Sequence, residues 1–296
     1  MKTDFYIFCA FDEWYADLSY VFFASFNQYN SDKILHAHCV NFPEEKFTVY
    51  KYTVSKYFPN VIVEAYTQSG NDKYVTLDDR EQTAYAAHTE VLEHKIKFWA
   101  SGEKHILYLD IDILIRGNLS VFLTDTTTNI IGSRHHREKG YGYNAGVIVL
   151  NQTDSSILLN TYNHLLSQSK EKISYPEEYL LDNLTNYTRG EFIDYLHIVP
   201  QANIFDSDRT VISHFYPEDV KLWDSCTKNL VQNIFGTKFL ISANEWYTLY
   251  DRVKSLNILS DRFCKIVDAK RSYINNLLAM KAKITDRRNK LYGSVL

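Results

Sequence analysis

"ILYLDIDILI", Ile106 to Ile115, is the stretch on which the fold turns. Seven of its residues are aliphatic and one is Tyr, yet two aspartates stand in the middle. Residues two apart on a regular strand face the same way. A continuous strand would therefore crowd Asp110 and Asp112 together inside a hydrophobic layer, where bare carboxylates are costly. The cost falls if the strand ends near Leu109 and the pair stands at its carboxyl end. Open α/β sheets bind their ligands there. A divalent cation would offset the repulsion, and carboxylate oxygen suits Mg²⁺ or Mn²⁺, which in turn holds phosphate oxygens. The other reading is a surface loop with two solvated aspartates, and the aliphatic residues on both sides argue against it.

Outward from this stretch, strand-like and helix-like segments alternate. "DFYIFCAF", "ILHAHCVNF", "NVIVEAY" and "HILYLDI" read as strands. "DLSYVFFASFNQY", "PEEKFTVYKYTVSKYF" and Thr83 to Ala100 read as the helices between them, with Pro43 in a first turn where a missing N–H does no harm. Continuous apolar strands in a βαβα rhythm predict a mostly parallel sheet with helices on both faces. Further on, "NIIGSRHH", "YNAGVIVLN" and "TVISHFY" read as strands, and "SILLNTYNHLLSQS" and "EEYLLDNLTNY" as helices. From about Glu245 the pattern is helical. Leu249, Val253, Leu256, Phe263, Val267, Ile274, Leu277 and Ile284 recur at spacings of three, four or seven, which predicts one or two amphipathic helices packed on the body. The expected division is 1–240 for the sheet domain and 241–296 for a basic helical extension.

The bulk composition sets limits. The chain has 296 residues, 45% hydrophobic and 23% charged, in the range of an ordinary globular protein. No apolar run approaches the roughly 20 residues a membrane span needs. The start, "MKTDFYIFCAFDEWYADL", is broken by Asp4, Asp12 and Glu13, unlike a signal peptide, which predicts a cytoplasmic protein. Cys9, Cys39, Cys226 and Cys264 are scattered and read as reduced thiols. The net charge of −4 hides an asymmetry: from Asp261 onward nine Lys/Arg face three Asp, +6, leaving −10 for the rest. An acidic body argues against nucleic acid as a partner. The basic tail fits an anionic membrane surface or, equally, a dimerising or solvated helix.

A metal-held diphosphate suggests sugar transfer from a nucleotide, nucleotidyl transfer, or phosphatase chemistry of the haloacid-dehalogenase kind, whose signature "LDIDIL" also resembles. That family's motif lies on its first strand, whereas three apparent strands precede Asp110 here. Two further segments bear on the choice. "YGYNAGVIVLN", Tyr141 to Asn151, opens a strand with Asn144-Ala145-Gly146, small residues that let a ligand approach the backbone. "VISHFYPEDVKLWD" places His214 after an apolar strand, with Lys221 and Trp223 close behind. An imidazole can complete a carboxylate metal shell, and an ammonium can neutralise a leaving diphosphate.

Together, in this order, these segments resemble glycosyltransferase family 8, retaining enzymes of the GT-A fold that include bacterial lipopolysaccharide galactosyl- and glucosyltransferases and glycogenin. "HKIKFWASGEKHILYLDIDILIRGNL" is similar to the family's K-L-x-x-W segment and D-x-D strand. "YNAGVIVLN" is similar to its F-N-A-G-V motif, and "SHFYPEDVKLW" to its S-H-F-x-G-x-x-K-P-W. "CAFDEWYADLSYVFFAS" resembles its nucleotide-binding A-x-D-x-x-Y segment. The resemblance covers roughly Phe5 to Trp223. It implies a Rossmann-like GT-A sheet, Mn²⁺ (or Mg²⁺) held by Asp110, Asp112 and His214, and a UDP-sugar donor. Asp12 would hydrogen-bond the base and Tyr15 stack on it. Lys95 would contact the donor, Asn144 and Ala145 would line its sugar, and Lys221 would hold the β-phosphate. The acceptor would be a glycan or glycolipid.

The chain departs from the family pattern in three ways. Glu177 and Glu178 stand where Asp-Gln is usual, no glycine follows the His-Phe pair, and "KLW" lacks the proline. Glu177 or Glu178 could stabilise the oxocarbenium-like sugar. The readings that remain beside hexosyl transfer are a Mg²⁺-dependent phosphatase using Asp110 and Asp112, and a degenerate GT-A fold serving as a binding module.

Overall fold

The computed structural model describes residues 5–71, 89–103, 105–137, 140–151, 155–169, 173, 176–185, 187–191, 196–199, 210–215, 222–223 and 239–292. The first half is the expected βαβ winding. Strands β1 (Tyr6–Phe11), β2 (Leu35–Val40) and β3 (Val61–Tyr66) run parallel, with α1 (Ala16–Tyr29) and α2 (Glu44–Tyr57) between them. Pro43 is the N-cap of α2 rather than its first helical residue. After α3 (Thr89–Trp99), β4 (His105–Leu109) returns to pair parallel with the other side of β1.

Beyond β4 the direction changes. β7 (Gly140–Asn151) is antiparallel to β4, β6 (Ile130–Arg137) is antiparallel to β7, and the short β8 (Arg189–Glu191) is parallel to β6. The order is β3-β2-β1-β4-β7-β6-β8. A second sheet, β5-β10-β9, joins β5 (Ile113–Ile115) antiparallel to β10 (Ile212–Phe215), with β9 (Leu196–Val199) parallel to β10. The remaining helices are α4 (Ser155–Gln168), α5 (Pro176–Asn183), α6 (Phe239–Lys254) and α7 (Asp261–Tyr292).

Period-two alternation sorts the strand residues into two core layers. Ile7, Cys9, Phe11, Leu107, Leu109, Val147 and Val149 face a layer filled from α1 and α2 by Tyr20, Phe23, Phe26, Tyr50 and Val54. Phe8, Ala10, Ile106, Tyr108, Ile148 and Leu150 face the other, filled from α3, α4 and α5 by Ile96, Trp99, Leu158, Tyr162 and Leu180. Helices therefore cover both faces, as the continuous apolar strands require.

The C-terminal helices add to the first layer. Trp246 and Tyr250 stack with ring centroids 5.7 Å apart, and Val253, Val267 and Ile274 are buried beside them. Polar ties fix the seam. Arg116 Nε stands 2.6 Å from Glu245, and Asp17 on α1 accepts from the Ser260 backbone N–H at 2.8 Å and hydroxyl at 2.5 Å. The apolar stripe runs out before Ile284, which is 55% exposed. Among the described residues no helix is long and apolar enough to cross a membrane.

Candidate metal and donor site

The "ILYLDIDILI" stretch is not one strand. β4 ends at Leu109, Asp110 to Asp112 form a bend, and Ile113 to Ile115 become β5 of the second sheet. The carboxylates thus stand at the carboxyl end of a parallel strand, at the junction of two sheets. Backbone bonds hold both sides of the junction. The Asp110 N–H donates to the Gly146 carbonyl at 2.7 Å, and the Phe215 N–H donates to the Asp112 carbonyl at 3.1 Å. Antiparallel pairing of β10 with β5 places His214 opposite Ile113. His214 Nε2 comes to 3.2 Å from Asp112 Oδ1 and 4.0 Å from Asp110 Oδ2.

One ligand atom from each of the three residues lies within 4.8 Å of the others. Two hard oxygens and an imidazole nitrogen suit a small divalent cation. A glycine keeps the space between them open. A Cβ on Gly146 would stand 2.3 Å from His214 Cε1 and 2.7 Å from Asp110 Oδ2.

Gly146 belongs to a bulge. Gly132 of β6 pairs with Ile148, but its neighbour Ser133 pairs with Asn144, so Ala145, Gly146 and Val147 are extra on β7. Bulges re-aim the chain at sites of this kind. Here the bulge turns the Gly146 carbonyl onto Asp110, while buried Asn144 caps it by accepting from the Gly146 N–H at 3.0 Å. The bulge also turns the Ala145 carbonyl toward Lys95, whose Nζ donates to it at 2.9 Å.

Lys95 is 2% exposed. Its ammonium lies 3.7 Å from Asp110 Oδ1, 3.8 Å from Glu177 Oε1 and 4.0 Å from the centroid of the Tyr108 ring. A buried cation between two carboxylates offsets part of their repulsion. Tyr108, which sequence reasoning did not single out, donates its hydroxyl to Asp110 Oδ1 at 2.5 Å. Burial pushes the Tyr108 hydroxyl well above its ordinary pKa, and the Asp110 charge adds to the rise, so the phenol keeps the proton it donates. Its position two before Asp110, on the same strand face, was the available signal. Glu178 is buried beside Glu177 in the first turn of α5.

Asp12 and Tyr15 lie over the neighbouring strand end. Asp12 follows β1, caps a 3₁₀ turn by accepting from the Trp14 N–H at 2.9 Å, and is 8% exposed. Both line a cleft of 880 Å³ over the ends of β1 and β2, whose other residues include Asn41, Trp223 and Arg262. Lys221 lies outside the described residues.

No protein-family model matches the sequence, and no curated protein matches it. Solved structures do. The galactosyltransferase LgtC in complex with donor and acceptor sugar analogues is 15% identical, with a TM-score of 0.60 over 88% of this chain and 99% of that one. An active-site mutant of LgtC is 17% identical, with a TM-score of 0.61 over 83% and 95%. The glycosyltransferase GlyE of Streptococcus pneumoniae TIGR4 is 18% identical, with a TM-score of 0.53 over 83% of this chain and 64% of that one. At these identities the likeness carries the fold, and the chain has a GT-A glycosyltransferase fold.

Proposed function

We propose that this protein is a metal-dependent retaining glycosyltransferase of the family 8 kind, moving a hexose from a UDP-sugar to a glycan or glycolipid acceptor. Such an acceptor would belong to a bacterial surface polysaccharide or lipopolysaccharide. One observation carries the reading. Asp110, Asp112 and His214 converge from two sheets around a space that glycine keeps open, at the carboxyl end of a parallel strand. The phosphatase reading has less support, because the pair follows the fourth strand and an antiparallel strand lies beside it. An open triad also argues against a degenerate binding module.

In this reading Asp110, Asp112 and His214 hold Mn²⁺ or Mg²⁺. A divalent cation there supplies Lewis-acid stabilisation to the departing diphosphate, where charge develops in the transition state. Tyr108 and Lys95 orient Asp110 from below. Asn144 and the Ala145 backbone line the donor sugar at the bulge. Glu177, with Glu178 beside it, stands across Lys95 from Asp110 and supplies negative charge toward an oxocarbenium-like sugar. Lys221 follows β10 in sequence and is assigned to the β-phosphate. Asp12 and Tyr15 take the base.

Thermal shift with UDP, GDP and CMP, each with and without Mn²⁺, tests this. Ligands that bind the native state raise the melting temperature, by more the further their free concentration exceeds Kd. Stabilisation by UDP that requires Mn²⁺ is expected. Equal shifts with all three nucleotides, or none with any, overturn the donor assignment.

A further inference from the structure

The cleft over β1 and β2 has a wall that neither Asp12 nor Tyr15 supplies. Trp14 is 68% exposed. An indole face at a cleft mouth can be covered by a cation or by a stacked flat ring. One partner is Arg262, whose guanidinium carbon lies 5.0 Å from the ring centroid. Arg262 belongs to the first turn of α7, and its position is set by the body, because Ser260 is tied to Asp17 on α1 through both its backbone N–H and its hydroxyl. Phe263 packs behind it against the core. Among the described residues no carboxylate pairs with Arg262, so its planar fork of donors is unspent at the cleft mouth.

The chemistry of the cleft says which end of a nucleotide it takes. Asp12, Asp17 and Glu90 line it with Tyr15 and Trp223. Carboxylates repel phosphate but accept from ribose hydroxyls, and aromatic faces suit a flat ring. Register pairing of Phe8 with Tyr108 puts the exits of β1 and β4 side by side, about 5 Å apart. A diphosphate held at Asp110 and Asp112 therefore directs its nucleoside into this cleft.

We propose that Trp14 and Arg262 form a clasp over the donor's base, the indole stacking on the ring and the guanidinium donating to its carbonyl edge. The C-terminal helix α7 is thereby part of donor selection. This rests on the sugar-nucleotide reading above, and it adds Trp14, an unspecified position of the A-x-D-x-x-Y segment, and Arg262, which lies beyond the stretch the resemblance covers.

Binding of UDP and inorganic pyrophosphate, each with Mn²⁺, to the full-length chain by calorimetry tests it. Trp14→Ala and Arg262→Ala should each weaken UDP about tenfold, the scale of one lost base stack or cation–π contact. Pyrophosphate affinity should not change. Arg262→Lys keeps the charge but not the fork, and should lose most of the same affinity. Arg271→Ala removes a pair with Asp251 that ties α7 to α6 away from the cleft, and should leave UDP binding intact. If the parent binds UDP and the Trp14 and Arg262 variants match it, the clasp is overturned alone. The same holds if pyrophosphate weakens in step or Arg271→Ala behaves alike. If the parent binds neither UDP nor pyrophosphate, the donor reading fails and takes the clasp with it.

Discussion

Gly146→Ala inserts one methyl group between the groups assigned to the cation. Its Cβ would begin 2.3 Å from His214 Cε1, 2.7 Å from Asp110 Oδ2 and 3.0 Å from Asn144 Oδ1. Ordinary carbon contacts lie at about 3.5–4.0 Å, so the imidazole must withdraw by more than about 1 Å. His214 sits on a buried strand paired on both sides, and Asp110 is tied to Tyr108. Neither yields without loss. Overpacking of this kind costs about 1–3 kcal/mol of stability. A displacement of about 1 Å at a reacting centre costs about 100-fold in rate. The informative quantity is Mn²⁺ affinity, read from the free-ion signal in electron paramagnetic resonance. Gly132→Ala is the control, since its Cβ meets Ile148 Cδ1 at 2.6 Å and Tyr143 Cδ1 at 2.8 Å at the same bulge but against apolar atoms. Both variants should melt at a lower temperature, and only Gly146→Ala should lose Mn²⁺. A Gly146→Ala protein that binds Mn²⁺ like its parent, or a Gly132→Ala protein that loses it equally, refutes the assignment.

Asp112→Asn should abolish metal-dependent transfer while circular dichroism and melting temperature stay near the parent's; full activity would remove the metal role. Lys95→Met keeps the stem but leaves Asp110 and Glu177 without their shared cation and the Ala145 carbonyl without its donor. Breaking a buried pair in this way costs about 3–5 kcal/mol, to be read by urea denaturation, and a cost no greater than for a surface lysine would show the contact to be idle. The third concerns pH. His38 and His94 are buried and 3.0 Å apart. Burial lowers both pKa values, with His36 and His94 adding to the fall at His38 and Lys97 at His94, which drops to about 4. The unfolded chain takes up these protons first, near pH 6.5. Stability from the neutral pair is therefore full above that pH and erodes as pH falls toward 4 and below, by up to about 1.4 kcal/mol per unit for each histidine. Urea midpoints at pH 7, 6 and 5 should decline, and less so in a His38→Gln, His94→Gln double variant; equal slopes would dismiss the account.

The long buried elements were legible because burial on both faces writes continuous apolar runs. β1 to β4, the first two helices and the end of the third fall within a few residues of the reading for that reason, while the expected start at Thr83 lies outside the described residues. The position of the carboxylates was legible too, since their cost in a strand interior demanded that β4 stop at Leu109. The second sheet was not. Only its β10 was read as a strand; β5 and β9 have three or four residues each, too few to show a period, and β5 reads as a continuation of β4 until the bend separates them. The bulge was invisible for a different reason. Asn144-Ala145-Gly146 announces a close approach, but only pairing with β6 reveals that Ala145, Gly146 and Val147 are extra. Lys95 appeared in sequence as a helix residue near the donor, while its burial between Asp110 and Glu177 depends on α5, far along the chain.

The second sheet also explains how the two carboxylates are brought together with the imidazole. Asp112 is fixed by β10, the antiparallel partner of the strand that follows it, through the bond from the Phe215 N–H to its carbonyl. That bond comes from the residue next to His214, so the pairing that places Asp112 also places the imidazole. Asp110 is fixed on the other side by β7, through the Gly146 carbonyl, and that bulge also positions the acceptor for Lys95. Each acidic group thus arrives with its own cationic or hydrogen-bonding neighbour, carried by the same backbone contact. A triad built this way is preorganised. In the proposed reading, ligand binding would draw little on ordering the site and leave its free energy to the diphosphate, where a difference between ground and transition states raises the rate.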